Sequence, residues 1–184
     1  MQIHRLQGYI QNIYLVEEDG QLMLLDGCSR CDVKPIQQFI TQNLNRPFND
    51  LKEMQDTIVK NWNDEVNKGD IVYVLGDICY HVQTLIKLVD MLNGQIHIIR
   101  GNHDENAIKC AVNGYNMKGV VFHRDILKIK DGLHTVILCH YPIYEWDGWF
   151  RGSIHLHGHT HSNIGWGFKR RAFDVGVDVW DFKP

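Results

Sequence analysis

Four times in this chain an apolar run of β-forming residues ends on a side chain able to bind a metal or move a proton. Ile71-Val72-Tyr73-Val74-Leu75 runs into Gly76-Asp77, and Ile96-His97-Ile98-Ile99 runs into Arg100-Gly101-Asn102-His103-Asp104. Val136-Ile137-Leu138-Cys139 runs into His140-Tyr141-Pro142, and Ile154-His155-Leu156 runs into His157-Gly158-His159-Thr160-His161. Between the first two runs, Val82 to Leu92 has helical spacing and is closed by Asn93-Gly94. This alternation argues for one α/β domain with a mixed sheet or two packed sheets. A rigid sheet fixes the positions of the loops that follow its strands, so strand ends are where such folds assemble sites.

The donors at these ends are a carboxylate, an amide oxygen and imidazoles. That mixture suits Mn²⁺, Fe²⁺ or Zn²⁺ better than Ca²⁺ or Mg²⁺, which prefer oxygen throughout. At a period of two, His157, His159 and His161 would face one side of an extended chain. A surface histidine cluster is the plain alternative. Taken singly, Asp77 and Asn102 are ordinary turn residues and His103 an ordinary loop histidine.

Upstream, Tyr9 to Val16 and Gln21 to Leu25 read as two strands around Glu18-Asp19-Gly20. Val33 to Leu44 reads as a helix with Asp32 as N-cap and Pro35 in its first turn. A second helix from Asp50 lines up Leu51, Met54, Ile58, Val59, Trp62 and Val66 and ends at Lys68-Gly69. Val120-Val121-Phe122 and Asp125 to Ile129, between the second and third apolar runs, and Phe173 to Trp180 complete the strand candidates. His97, His134 and His155 fall within strands, as packed or solvent-facing residues. Tyr141, Tyr144, Trp146, Trp149 and Phe150 either wall a pocket or form local core. Arg100 and Arg124 either neutralise an anion or sit on the surface.

With 184 residues, 44% of them hydrophobic and 22% charged, the composition is that of an ordinary globular domain. A net charge of −3, with Lys169-Arg170-Arg171 as the one basic cluster, gives no nucleic-acid-binding surface. No apolar run is long enough for a bilayer and no signal segment is evident, so no membrane partner is expected. Five cysteines without regular spacing (28, 31, 79, 110 and 139) fit a reducing cytoplasm.

In their order, Gly76-Asp77, Gly101-Asn102-His103-Asp104, Cys139-His140 and Gly158-His159-Thr160-His161 resemble the calcineurin-like metallophosphoesterases. The likeness runs from about Arg46 to Pro184 and takes in Trp62-Asn63 and Val175-Gly176-Val177-Asp178-Val179-Trp180. It implies a layered αββα sandwich of two mixed β-sheets flanked by helices, forming a single domain over residues 1–184. It further implies two divalent metal ions, or one. Asp77 would bridge both ions, Asn102, His140 and His159 would complete one site, and His161 would serve the other. His103 would protonate the leaving oxygen, with Asp104 orienting its imidazole. The implied reaction is hydrolysis of a small phosphomonoester or phosphodiester by in-line attack of a metal-bound hydroxide.

The first 52 residues depart from that pattern. The Asp-x-His expected at the end of the first strand is absent. Gly8 to Val16 with Leu24-Leu25-Asp26-Gly27-Cys28 instead resembles the opening hairpin of metallo-β-lactamase-fold hydrolases, without that family's His-x-His-x-Asp-His. Residues 1–45 therefore read as an atypical hairpin and helix, and the chain as a hybrid. Asp26 and Cys28 are either substitute ligands or turn residues. Two further readings stand beside the phosphoesterase: a catalytically impaired metal-binding remnant with one intact site, and a metallo-β-lactamase-like hydrolase.

Overall fold

The computed structural model describes residues 2–7, 12–18, 21–24, 47–49, 51–78, 82–104, 109, 117, 119–160 and 171–184. The chain divides into two compact units, Met1–Ile58 and Val59–Pro184. In the first unit, β1 (Gln2–Gln7), β2 (Asn12–Glu18) and β3 (Gln21–Leu24) form an antiparallel sheet in that order. Strand β1 is one that periodicity misses, because Ile3 and Leu6 stand three apart in an otherwise polar segment. The helix expected over Val33 to Leu44 lies outside the described residues, as do Asp26 and Cys28.

Helix α1 (Leu51–Glu65) carries Lys52–Asp56 and Lys60–Asp64 ion pairs at i,i+4 on its exposed side. In its first turn, Glu53 Oε2 accepts the backbone N–H of Asn49 at 2.7 Å and its Nδ2 at 2.9 Å, which ties the entering chain to the helix. The helix ends before the predicted Lys68-Gly69. The Asn67 N–H bonds the Asp70 carboxylate at 2.7 Å, so a side chain takes the donor that would have continued the helix.

Among the described residues the second unit holds two sheets. One is all-parallel, β4 (Ile71–Val74), β5 (Gln95–Ile99) and β6 (Val120–His123), with helix α2 (Val82–Met91) connecting β4 to β5. The other is mixed, in the order β10-β9-β8-β7. Strands β7 (Ile126–Asp131) and β8 (His134–Cys139) are antiparallel, whereas β9 (Ile154–His157) and β10 (Ala172–Asp174) run parallel to β8. The expectation of two mixed sheets is thus corrected in one of them: the α2 crossover brings β5 back parallel to β4. The terminal stretch is also not one strand. After Asp174 the chain turns at Gly176 into a 3₁₀ turn, Val177–Val179.

Three apolar layers follow from the alternation of side chains along these strands. Ile96 and Ile98 face the helices, packing with Trp62, Val66, Leu85 and Val89. Ile99 and Leu75 face the other way and meet Val136 and Leu138 of the mixed sheet. Ile137 and Ala172, on the far face of that sheet, pack on Trp146 and Trp149. Among the described residues these tryptophans, Trp149 at the start of a 3₁₀ turn (Trp149–Arg151), and no α-helix cover that face. Helices α1 and α2 are tied at their ends: Trp62 Nε1–H donates to Asn93 O at 2.9 Å, Asn63 Nδ2 to Met91 O at 2.8 Å, and Asn93 N–H to Asn63 Oδ1 at 2.8 Å. No helix among the described residues is long and apolar enough to cross a membrane.

Candidate metal centre

The C-terminal ends of β4, β5, β8 and β9 bring Asp77, Asn102, His140 and His159 together. His140 Nε2 stands 3.2 Å from Asp77 Oδ2, 2.8 Å from Asn102 Oδ1 and 3.0 Å from His159 Nδ1. Asp77, His140 and His159 each offer one ligand atom, and all three atoms lie within 4.8 Å of one another. Asp77 and His140 are almost wholly buried.

The tautomer of His140 follows from its other nitrogen. Nδ1 lies 2.8 Å from Leu75 O and must donate to that carbonyl, which leaves the Nε2 lone pair facing two oxygen acceptors. Acceptors at such distances repel unless positive charge stands among them, either a proton on Nε2 or a cation. The same physics sets the titration. Burial acts against the charged forms of both groups, but the contact between them, together with the His103 N–H on Asp77 and the Leu75 carbonyl and Asp104 charge near His140, outweighs it. His140 is held above the ordinary imidazole range and Asp77 below the usual carboxylate range. The donor set of carboxylate, amide oxygen and two imidazoles therefore fits a divalent transition ion.

Backbone geometry makes this convergence achievable. Asp77 (φ 55) and His159 (φ 68) both adopt the left-handed region, which non-glycine residues rarely occupy outside constrained sites. Gly76 precedes Asp77 with φ 85, and a Cβ on it would stand 2.6 Å from Gly101 Cα and 2.7 Å from His140 Nδ1. A Cβ on Gly101 would run into Asp77 Oδ1 and stand 2.6 Å from Asp77 N. The two loops thus touch backbone to backbone, and only glycine permits it.

Asp104 locks them. Its carboxylate is 1% exposed, and Oδ2 accepts the N–H of Asp77 at 2.6 Å and that of Gly101 at 2.9 Å. This bracing of Asp77 is a contact that the sequence reading, which assigns Asp104 to the His103 imidazole, does not contain. His103 N–H donates to Asp77 Oδ1 at 2.9 Å, anchoring that loop on the carboxylate. On the other side, Thr160 Oγ1 donates to Asp174 Oδ2 at 2.8 Å, Asp174 Oδ1 accepts Gly176 N–H at 2.8 Å, and Val175 N–H donates to His157 O at 2.8 Å. The loop carrying His159 is so held against the end of β10.

Other expected positions resolve differently. The period-two arrangement of His157, His159 and His161 is corrected, because the chain leaves the strand at Gly158. His157 is buried with Nδ1 2.9 Å from Gly158 O, and His161 lies outside the described residues. His155 is fully buried. Its Nδ1 donates to Ile137 O at 3.0 Å and its Nε2 accepts Ile143 N–H at 3.1 Å, a pattern met by the neutral ring alone. Arg100 pairs with Asp125, Nε to Oδ1 at 2.7 Å. Of the aromatic group, Trp146 is core, with Nε1–H donating to Ser153 Oγ at 3.0 Å, whereas Tyr144 and Phe150 are exposed. Tyr141 lies beside the cluster, its ring centroid 4.9 Å from that of His140 and 4.7 Å from that of His159. Its place directly after a ligand histidine is the one sequence signal for this.

The chain is 36% identical over 154 residues to the uncharacterized protein MJ1445 of Methanocaldococcus jannaschii, covering 79% of this chain and 77% of that protein. It is 32% identical over 162 residues to the Gene 66 protein of Mycobacterium phage L5, covering 71% and 76%, and 31% identical over 144 residues to that of phage D29, covering 65% and 72%. The solved structure of AQ665 from Aquifex aeolicus, a protein of unknown function, is similar with a TM-score of 0.61 at 20% identity, over 80% of this chain and 87% of that one, a likeness of fold. No family model matches the chain.

Proposed function

We propose that this chain, which belongs to one family with MJ1445 of Methanocaldococcus jannaschii and the Gene 66 proteins of mycobacteriophages L5 and D29, is a divalent-metal-dependent phosphoesterase of the calcineurin-like kind, built as a layered αββα sandwich. Its substrates are small phosphomonoesters or phosphodiesters. One observation carries the proposal: His140 Nε2, its other nitrogen committed to Leu75 O, meets Asp77 Oδ2, Asn102 Oδ1 and His159 Nδ1 at 2.8–3.2 Å. Asp77, Asn102, His140 and His159 would hold a Mn²⁺, Fe²⁺ or Zn²⁺ ion, and a second ion would take His161 as a ligand. When bound, the metal supplies Lewis-acidic positive charge for the phosphoryl oxygens and acidifies water.

The remaining work falls to the chain. Asp104 and the two glycines keep the Asp77 carboxylate in a fixed position, so no reorganisation is needed as charge develops. His103, on a loop anchored to Asp77 Oδ1 through its own N–H, gives a proton to the departing ester oxygen. Asp77→Ala should lose both metal and turnover of bis(p-nitrophenyl) phosphate, whereas His103→Ala should lose turnover with metal retained. Full activity in Asp77→Ala would sink the assignment. One bound ion without turnover in the wild type would favour a non-catalytic metal-binding domain.

A further inference from the structure

Among the described residues, one aromatic ring packs directly on the candidate metal centre. Tyr141 follows His140 at the end of β8, and its ring packs edge-on to two imidazoles at once, at 79° to His140 and 65° to His159. Both rings belong to the ligand cluster, so Tyr141 shares its rim. The residue is nevertheless 42% exposed, so these contacts leave much of it open to solvent.

The loop that follows it is fixed from beneath. The buried His155 imidazole accepts the N–H of Ile143, two residues beyond Tyr141, while Nδ1 is anchored to Ile137 O in β8. Trp146 packs on that imidazole at 5.2 Å between centroids. A large apolar ring is thus held half-open to solvent on a loop pinned by buried groups. An exposed aromatic on a braced loop loses little freedom when a second ring stacks on it, which makes it an inexpensive recognition surface.

We propose that Tyr141 is a specificity-determining residue that stacks on a planar aromatic group carried by the substrate. The substrate class is then phosphate esters with an aryl or heteroaromatic ring near phosphorus, rather than purely aliphatic ones. The inference rests on the phosphoesterase reading for its identification of the phosphate-binding end. His140 and His159 would help hold the ion that supplies charge for the phosphate, and Tyr141 grips what the phosphate is attached to.

The test uses stable ligands whose C–P bond is not hydrolysed. Binding of phenylphosphonate and of methylphosphonate to the Mn²⁺-loaded chain is measured by calorimetry for wild type, Tyr141→Phe and Tyr141→Leu, with Mn²⁺ affinity measured in each. Wild type should prefer phenylphosphonate by about tenfold, within what aromatic stacking provides. Tyr141→Phe should keep that preference. Tyr141→Leu should bring it below about twofold while methylphosphonate and Mn²⁺ affinities stay near wild type. Equal binding of the two ligands by wild type overturns the proposal, as does an undiminished preference in Tyr141→Leu. Parallel assays with p-nitrophenyl esters separate the two levels. Turnover without ring preference defeats the role of Tyr141 alone, and ring preference without turnover defeats the phosphoesterase reading while Tyr141 stands as a ring-binding residue.

Discussion

Replacing Asp104 examines the joint between the two loops that carry Asp77 and Asn102. One buried oxygen, Asp104 Oδ2, serves two backbone donors, Asp77 N–H at 2.6 Å and Gly101 N–H at 2.9 Å. In Asp104→Ala both donors lose this acceptor in a region with little access to water. Each such loss costs about 1–3 kcal/mol, hence about 2–6 kcal/mol together. Asp104→Asn keeps a carbonyl oxygen in nearly the same place but loses the charge, and charge-assisted bonds are about twice as strong as neutral ones. It should cost about half as much. Set against the 5–15 kcal/mol that holds a typical domain together, the alanine variant should fold with a clearly lowered urea midpoint. Because Asp77 is displaced when its N–H is released, Mn²⁺ affinity should fall in the same order, wild type above Asn above Ala. An alanine variant within about 0.5 kcal/mol of wild type, with unchanged Mn²⁺ affinity, refutes the bracing role.

Other outcomes follow from single contacts. Gly101→Ala places a Cβ 2.6 Å from Asp77 N and should weaken Mn²⁺ binding at least tenfold in titrations, with a stability cost of about 1–3 kcal/mol from overpacking; wild-type affinity would show that the loops can separate freely. Trp62→Phe removes the bond from Nε1 to Asn93 O and should lower unfolding free energy by about 1 kcal/mol, read from urea melts. Burial foremost, with the charge of His157 adding to it, holds His155 below the ordinary histidine value of 6.5. A group neutral in the fold but protonated when unfolded gives stability that is complete above about pH 6.5 and declines as pH falls, by at most about 1.4 kcal/mol per pH unit. Urea melts between pH 8 and 5 should show a shallower acid loss in His155→Gln than in wild type, and equal slopes would contradict this.

The strands and the identity of the clustered residues were legible because both have local causes. Ile96–Ile99 and Val136–Cys139 are largely apolar runs punctuated by turn residues, and the structure places each inside a strand, Gln95–Ile99 and His134–Cys139. Each strand end then delivers its polar residue to one place, so Asp77, Asn102, His140 and His159 could be named together without knowing a distance. What escaped the sequence depends on contacts between distant segments. Nothing local says that the carboxylate of Asp104 would seek the N–H of Asp77, or that Gly76 and Gly101 would touch. The period-two reading of the histidines failed for a related reason: His159 adopts a left-handed backbone, stabilised by Thr160–Asp174 across the sheet end, so strand periodicity stops at Gly158. Strand β1 was invisible because its pairing with β2, rather than its own composition, makes it a strand.

The most direct test of the metal centre is anomalous diffraction from crystals soaked in Mn²⁺, with data collected for wild type and for His159→Ala. An anomalous peak is expected in the wild type bounded by Asp77 Oδ2, Asn102 Oδ1, His140 Nε2 and His159 Nδ1, weakened or lost in the variant. Mn²⁺-saturated wild-type crystals with no peak among those four atoms would contradict it.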